Sequence, residues 1–513
     1  MNDRPKRRGR NTRKVERESG SKFSLDAGMR GGQFKPLQPA DLDNVHQAAL
    51  EILEKTGVGN VWPEFHHIFE NAGGWITGGG RVCLPGGLIE RAIDQAAKSV
   101  VIHGQNPEQS IELKPESVHI STGGIGVFVF DTEERTVRDS ALADVYDCTR
   151  MADAMENIHC IGRQLVARDM KTVDDLDINT TYAMACATTK PFGAGVNRAA
   201  NVSKVARMMD VIMGSDGAFR KAPICWSGAT FMVSPLRIQD EEQNLLQEMI
   251  KEGFPVLQIS VPQTGTSGPA RLVDTLALAV AETLFVLTWV NLLKPGHPMI
   301  VGCWPFVSDL RTGAFSGGGA EQALLMSASA QMMNYYGLPN SIAAGMSDAK
   351  EIDFQSGSEK SMSMTGAALS GSSLVFAYPG LLASIMGFSY DQMILDNELL
   401  GTVLRALKGI EVRGDLQAPQ VVHDCAVDPG HFISHPQTMA LMEKEYLYPE
   451  LADRRSINAW LEDVEPSITE RARQKATDVL RTHFPNHIAP AAHERIREMF
   501  NIQITCSRMQ KES

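Results

Sequence analysis

From about residue 118 onward, short uninterrupted apolar runs alternate with stretches of helical period, and this alternation constrains the fold more than any other feature. The runs lie at 118–121 (with 127–130), 159–162, 192–196, 224–229, 256–261, 299–304, 341–344 and 374–377. Runs this short and continuous read as strands buried on both faces, the habit of parallel sheets. Helical patterns fill the gaps at 141–155, 176–187, 202–213, 235–252, 269–293, 319–336 and 359–369, and another follows at 390–407. Eight strand positions, each followed by a helix, is the count of an α/β fold of the (β/α)8 TIM-type barrel. An open doubly wound sheet competes, but no Gly-rich dinucleotide fingerprint follows the first run.

The flanking segments differ in texture. Residues 1–36 are rich in Arg, Lys, Gly and Ser and read as a disordered, solvated tail; a basic arm docking on an acidic partner or a neighbouring subunit is the sharper alternative. Residues 37–117 read as a helical N-terminal cap module, whose first apolar stripe (Leu42, Val45, Ala49, Ile52, Leu53) stops at Gly57. The barrel is expected over 118–412, and 413–513 as a helical extension packed on it. A net charge of −12 argues against a general nucleic-acid binder. The apolar stretch 276–293 is interrupted by Glu282 and reads as a buried barrel helix rather than a membrane span. Scattered cysteines without a disulfide framework, and a basic N-terminus with no apolar core behind it, point to the cytoplasm.

Barrel chemistry sits just beyond the C-terminal ends of the strands. The richest such position is the polar crest after 341–344, which carries Ser347, Asp348, Lys350, Glu351, Asp353 and Gln355 and leads to Glu359. Other strand ends supply Asp131; Gln164 and Arg168; Asn197 and Arg198; Trp226, Thr230 and Phe231; Gln258, Gln263 and Thr264; Trp304, Phe306 and Asp309; and Tyr378. Aromatic residues make up only 6% of the chain, yet Trp226, Phe231, Trp304, Phe306, Phe354 and Tyr378 all fall at expected mouth positions. Rim packing explains any one of them singly. Taken with the acids and amides beside them, they suit a quaternary ammonium ligand held by cation–π attraction, about 0.5–2 kcal/mol per ring.

Three further motifs are weaker. His423, Cys425, His431 and His435 are zinc-ligand types, but their spacing fits no standard finger and no bound metal is expected. Cys225 and Cys303 lie at strand ends without a nucleophile signature and read as small buried hydrophobes. Residues 313–321 look like a phosphate-cradling glycine loop but lack the Gly-Lys-Ser/Thr ending.

The crest AGMSDAKEIDFQSGSEKSMSM, the segments FAYPG, SYDQMILDNELL, GHFISHPQT and RRSINAW, and the N-terminal LDNVHQAALEILEKTGV and LPGGLIERAIDQAAKSVVIHG together resemble the trimethylamine methyltransferase family over about residues 37–490. The resemblance implies a (β/α)8 barrel that moves a methyl group from a methylated amine to the Co(I) of a corrinoid carried by a cognate partner protein. Archaeal trimethylamine members carry pyrrolysine in the segment similar to 353–358; this chain has only standard residues there, as do members similar to glycine betaine methyltransferases. The reading that follows places a quaternary amine against Trp226, Phe231, Trp304, Phe306, Phe354 and Tyr378. Asp348, Asp353 and Glu359 form the catalytic acids, with Asp309 balancing charge, Gln355 beside them, and Arg168 or Gln258 on a substrate carboxylate. A homo-oligomer is expected. A non-catalytic quaternary-amine sensor and a metal-dependent barrel hydrolase are the competing functions.

Overall fold

The computed structural model describes residues 25–510 apart from 413, 428, 429 and 464. The basic tail expected over 1–36 lies outside the described residues as far as residue 24. Seven parallel strands form the centre: β1 (Ser117–Ser121), β2 (Phe192–Ala194), β3 (Cys225–Ala229), β4 (Val256–Ser260), β5 (Met299–Cys303), β6 (Asn340–Ala343) and β7 (Leu374–Phe376). They pair in the order β2-β3-β4-β5-β6-β7-β1, with Met29–Arg30 antiparallel outside β1. The sheet curls, so that 160–161 touches both of its ends. Cys160 bridges Ser121, Ile161 bridges Phe192, and the Gly193 N–H donates to the Ile161 carbonyl at 2.8 Å. The segment expected as a strand over 159–162 contributes only these bridges.

Parallel strands need crossovers, and every one is a helix: Leu142–Asp153, Val173–Ala187, Ala199–Met213, Asp240–Glu252, Leu272–Leu293, Ala320–Tyr335 and Phe354–Ser370, with Tyr390–Lys408 after the last strand. Two starts differ from the sequence pattern for local reasons. The helix expected from 235 begins at Asp240, because Pro235 and Leu236 (φ +54°) turn a small hairpin between Met232–Val233 and Arg237–Ile238. The helix expected from 359 begins at Phe354, because the Asp353 carboxylate accepts from the Ser356 N–H at 2.9 Å and nucleates an earlier turn. The run at 127–130 leaves the central sheet: Phe128–Asp131 pairs with Thr136–Asp139 and Gly387–Phe388 in a separate four-stranded sheet.

Side chains alternate across the sheet. On β4 and β5, Ser260 and Cys303 are paired in register and share the outer face, where the Ser260 hydroxyl donates to Glu282 at 2.5 Å. Glu282 sits in the middle of Leu272–Leu293, a helix long and apolar enough to cross a membrane yet buried inside the fold. Its carboxylate is satisfied there by Ser260, Ser234 (2.7 Å) and the Leu236 N–H (2.9 Å). The N-terminal helices pack on the same helix: Phe65 and Phe69 lie 5.6 and 5.5 Å from Trp289, and Phe69 lies 5.3 Å from Phe285.

C-terminal helix Ile468–Thr482 packs on Tyr390–Lys408, with Arg473 bonded to Asp391 (3.1 Å) and Glu133. By contrast, Ala418–Val427, Pro436–Leu441 and Ile457–Glu462 bury no residue, and Ile410, Ile433 and Ile457 are 93%, 79% and 77% exposed.

Candidate active site

Three rings meet on the inner face of the curled sheet. Trp226 on β3 pairs in register with Gly193 on β2, and a Cβ on Gly193 would stand 2.8 Å from the indole, so only glycine lets that ring lie flat there. The Trp304 indole, just past β5, donates to the Ser341 carbonyl at 2.8 Å, which fixes its plane. Phe376 on β7 stands edge-on to both, 5.3 Å from Trp304 and 6.3 Å from Trp226. Solvent reaches this face from the C-terminal strand ends. Trp226 is buried while Gly228, Ala229 and Thr230 are partly exposed, and Ile259 is partly exposed between buried Gln258 and Ser260. Phe376 has no polar signature in the sequence; it reads there only as part of an apolar run.

Two carboxylates organise the loops at that end. Asp348 accepts from Ser316 Oγ (2.9 Å), the Gly317 N–H (3.0 Å), the Gly318 N–H (3.3 Å) and Ser384 Oγ (2.6 Å). The glycine loop thus cradles an anion after all, and the anion is Asp348. Glu359 accepts from Ser347 Oγ (2.7 Å), the Asp348 N–H (2.9 Å) and Gln355 Nε2 (2.9 Å), so the two acids are coupled through one peptide. Asp353 caps the helix that carries Glu359.

Beneath them lies a buried ion pair that sequence reasoning missed. Lys360, 0% exposed, donates to Asp396 (2.9 Å), the Gly345 carbonyl (2.9 Å) and the Tyr378 carbonyl (3.3 Å). It ties the exits of β6 and β7 to helix Tyr390–Lys408. Asp396 also accepts from the Gly380 N–H and Gln392, both at 2.7 Å. Both exits run through left-handed backbone: Gly345 at φ +67°, where a Cβ would meet the Ala377 carbonyl at 2.0 Å, and Tyr378 at φ +44°. Burial pushes the Tyr378 phenol above its ordinary range.

Other expected positions lie elsewhere. Phe306 packs at a tilt against Phe315, with ring centroids 4.9 Å apart, half-buried above β5. Phe231 is a core residue and Phe354 is 89% exposed. Gln258 shares the outer face with Ser260, and both its amide atoms are buried without a partner. Asp309 binds Arg311, whose hydrogen bonds hold its carboxyl at about 2, and Arg168 binds Asp139 at 2.5 Å. Arg168 thus sits in a solvent-exposed ion pair, and Gln258 faces away from the ring cluster. Cys225 and Cys303 are buried and their thiols are pushed up, Cys303 to about 12. His435 faces Asp424 at 3.6 Å, and among the described residues no three His, Cys, Asp or Glu side chains are grouped to hold a metal.

Arg163, just past the 160–161 bridge, is a further residue the sequence did not single out. A Cβ on Gly195 would stand 2.7 Å from its Nη1, which is buried with no hydrogen-bond partner among the described residues. The residue as a whole keeps partial solvent contact. Burial lowers its pKa, opposed by the charge of Asp177.

Comparison with known proteins agrees with this architecture. A glycine betaine methyltransferase of Desulfitobacterium hafniense (strain Y51) is 26% identical over 472 residues, covering 91% of this chain and 97% of the relative. A trimethylamine methyltransferase MttB of D. hafniense (strain DSM 10664 / DCB-2) is 28% identical, covering 90% and 92%. The crystal structure of the Methanosarcina barkeri monomethylamine methyltransferase MtmB superposes with a TM-score of 0.50 at 14% identity, covering 92% of each chain, which is a likeness of fold. The family model for trimethylamine methyltransferase (MTTB) matches residues 6–503: the chain belongs to that family and is a methyltransferase.

Proposed function

We propose that this enzyme moves a methyl group from a quaternary or tertiary methylated amine, glycine betaine-like in preference to trimethylamine, to the Co(I) of a corrinoid carried by a partner protein. The observation that carries the reading is the Trp226–Phe376–Trp304 cluster on the inner face of the sheet. With 160–161 as the eighth strand position, that face becomes the interior of a (β/α)8 barrel open at its C-terminal end. Three ring faces and edges without an internal cation suit an N-methylated cation, each contributing about 0.5–2 kcal/mol. The standard residues at 353–358 support a quaternary substrate.

In a quaternary amine the C–N bond breaks with its electron pair on nitrogen, so the leaving group is neutral and needs no proton. What remains for the protein is to strip water from the ammonium and hold one methyl toward the opening. Trp304, locked by its bond to Ser341, and Phe376 fix that orientation; Asp348 and Glu359 keep the rim negative. The corrinoid, when bound, supplies the nucleophile. The partly exposed strand ends are on the side from which it would approach. The exposed apolar residues between 410 and 461 support a homo-oligomer, and the buried Leu272–Leu293 helix supports a cytoplasmic enzyme.

The test uses reduced corrinoid protein and a panel of methylated amines. Wild-type enzyme should demethylate quaternary amines, and Trp304→Ala should raise KM for them about tenfold. Unchanged KM in Trp304→Ala would remove the aromatic site.

A further inference from the structure

Gly193 lies in β2 and Gly195 follows just past its C-terminal end. Gly193 floors the Trp226 indole, and Gly195 floors the Arg163 guanidinium. The guanidinium therefore lies past the indole in the chain direction, toward the opening, separated from it by at most roughly 7 Å of chain. Phe376 reinforces the placement, because its ring packs against Gly162, the residue before Arg163.

Arg163 enters no ion pair among the described residues. The acid whose charge it feels, Asp177, has its oxygens occupied by the Asn197 N–H and Nδ2, the Arg198 N–H and Asn201 Nδ2. A guanidinium with a closed-off, unpartnered N–H is costly unless something anionic completes it. A planar fork also matches a carboxylate in two-point fashion.

We infer that Arg163 is the specificity-determining anchor of the site: it binds the carboxylate of a zwitterionic quaternary amine whose ammonium end rests on the Trp226–Phe376–Trp304 rings. The inference rests on the reading of the site as a methylated-amine pocket. It narrows the substrate class to quaternary ammonium carboxylates with a short spacer, and it assigns poorer binding to cations without a carboxylate.

Binding needs neither corrinoid nor turnover, so it separates this inference from the methyl-transfer reading. Glycine betaine and tetramethylammonium are titrated calorimetrically into full-length wild type, Arg163→Lys and Arg163→Gln. Wild type should bind glycine betaine at least about tenfold more tightly than tetramethylammonium. Arg163→Gln should weaken glycine betaine about 10- to 100-fold while changing tetramethylammonium by less than about threefold, with Arg163→Lys between. Equal affinity of wild type for the two cations, an unchanged glycine betaine affinity in Arg163→Gln, or an equal loss for both cations would each overturn the anchor. Arg163-dependent binding without methyl transfer to reduced corrinoid protein would leave the anchor standing and remove the transfer reading instead.

Discussion

Lys360→Met removes one half of a dry ion pair. Both partners are sealed from water, Lys360 at 0% and Asp396 at 1% exposure, so neither charge can be rescued by solvent. The substitution strips a donor from Asp396, from the Gly345 carbonyl and from the Tyr378 carbonyl. Asp396 keeps its bonds from Gly380 and Gln392, which hold the loss below that of a bare charge. Breaking one side of a buried pair costs about 3–5 kcal/mol, and the two orphaned carbonyls lie within that range. Neutralising the stranded acid in Lys360→Met/Asp396→Asn should recover about half of the loss, because the uncompensated charge is gone. Urea unfolding followed by far-UV circular dichroism reads both values. A single variant within about 1 kcal/mol of wild type, or a double variant no better than the single, would refute the account of this pair. Gly345 and Tyr378 mark the exits of β6 and β7, so on the proposed reading of the site glycine betaine affinity should fall in the single variant and partly return in the double.

Glu242 has one carboxylate oxygen buried without a partner, and burial first, then the charges of Glu241 and Asp177, raises its pKa to about 7. The folded state therefore holds this proton where the unfolded chain has lost it, and stability from this group falls as pH rises from about 4.5 to 7. Glu242→Gln should gain at most about 3 kcal/mol at pH 8 and nothing at pH 4, read as a pH-dependent difference in urea midpoint; a difference flat with pH contradicts this. Asp348→Asn turns an amide N–H toward a glycine-loop donor, so the loop at 313–321 should become more protease-sensitive and kcat/KM should drop without a new inflection in its pH profile; such an inflection would make Asp348 a proton-transfer group. Gly345→Ala meets both a left-handed φ and the Ala377 carbonyl, and should cost at least about 2 kcal/mol in the same unfolding assay; a neutral effect would show that the β6 exit can shift.

The strands were legible because a parallel strand covered on both faces leaves a continuous apolar run, and seven of the expected eight appear as strands in place. Helix starts were less so. A single Asp353 cap and a single Pro235 outweighed the periodicity around them. Among site residues, Trp226, Trp304, Asp348 and Glu359 were readable as unusual groups at strand ends. Gln258 was placed at the mouth, but its face depends on parity within β4, and parity follows from which neighbour meets Glu282 rather than from composition. Arg168 and Asp309 look free in the sequence because their partners, Asp139 and Arg311, announce no pairing. Lys360 and Asp396 are 36 residues apart and meet only through the fold. Phe376 and Arg163 were invisible for opposite reasons: one is apolar among apolar residues, the other a lone cation after a short run.

The charged groups at the strand ends divide by whether their hydrogen-bonding capacity is already used. Asp348 takes four donors and Glu359 three, leaving few lone pairs to accept a proton from a substrate. Their charge persists, however, and fixes a negative rim around the opening while tying three loops together. Arg163 is the reverse case, with a buried donor that no acceptor among the described residues receives. A site whose acids are satisfied and whose guanidinium is not can select a ligand by its anionic end while attracting the cationic end to the rings. In the proposed transfer, departure of a neutral amine would ask for nothing more from the acids, so a donor-saturated pair would fit that chemistry better than an open one.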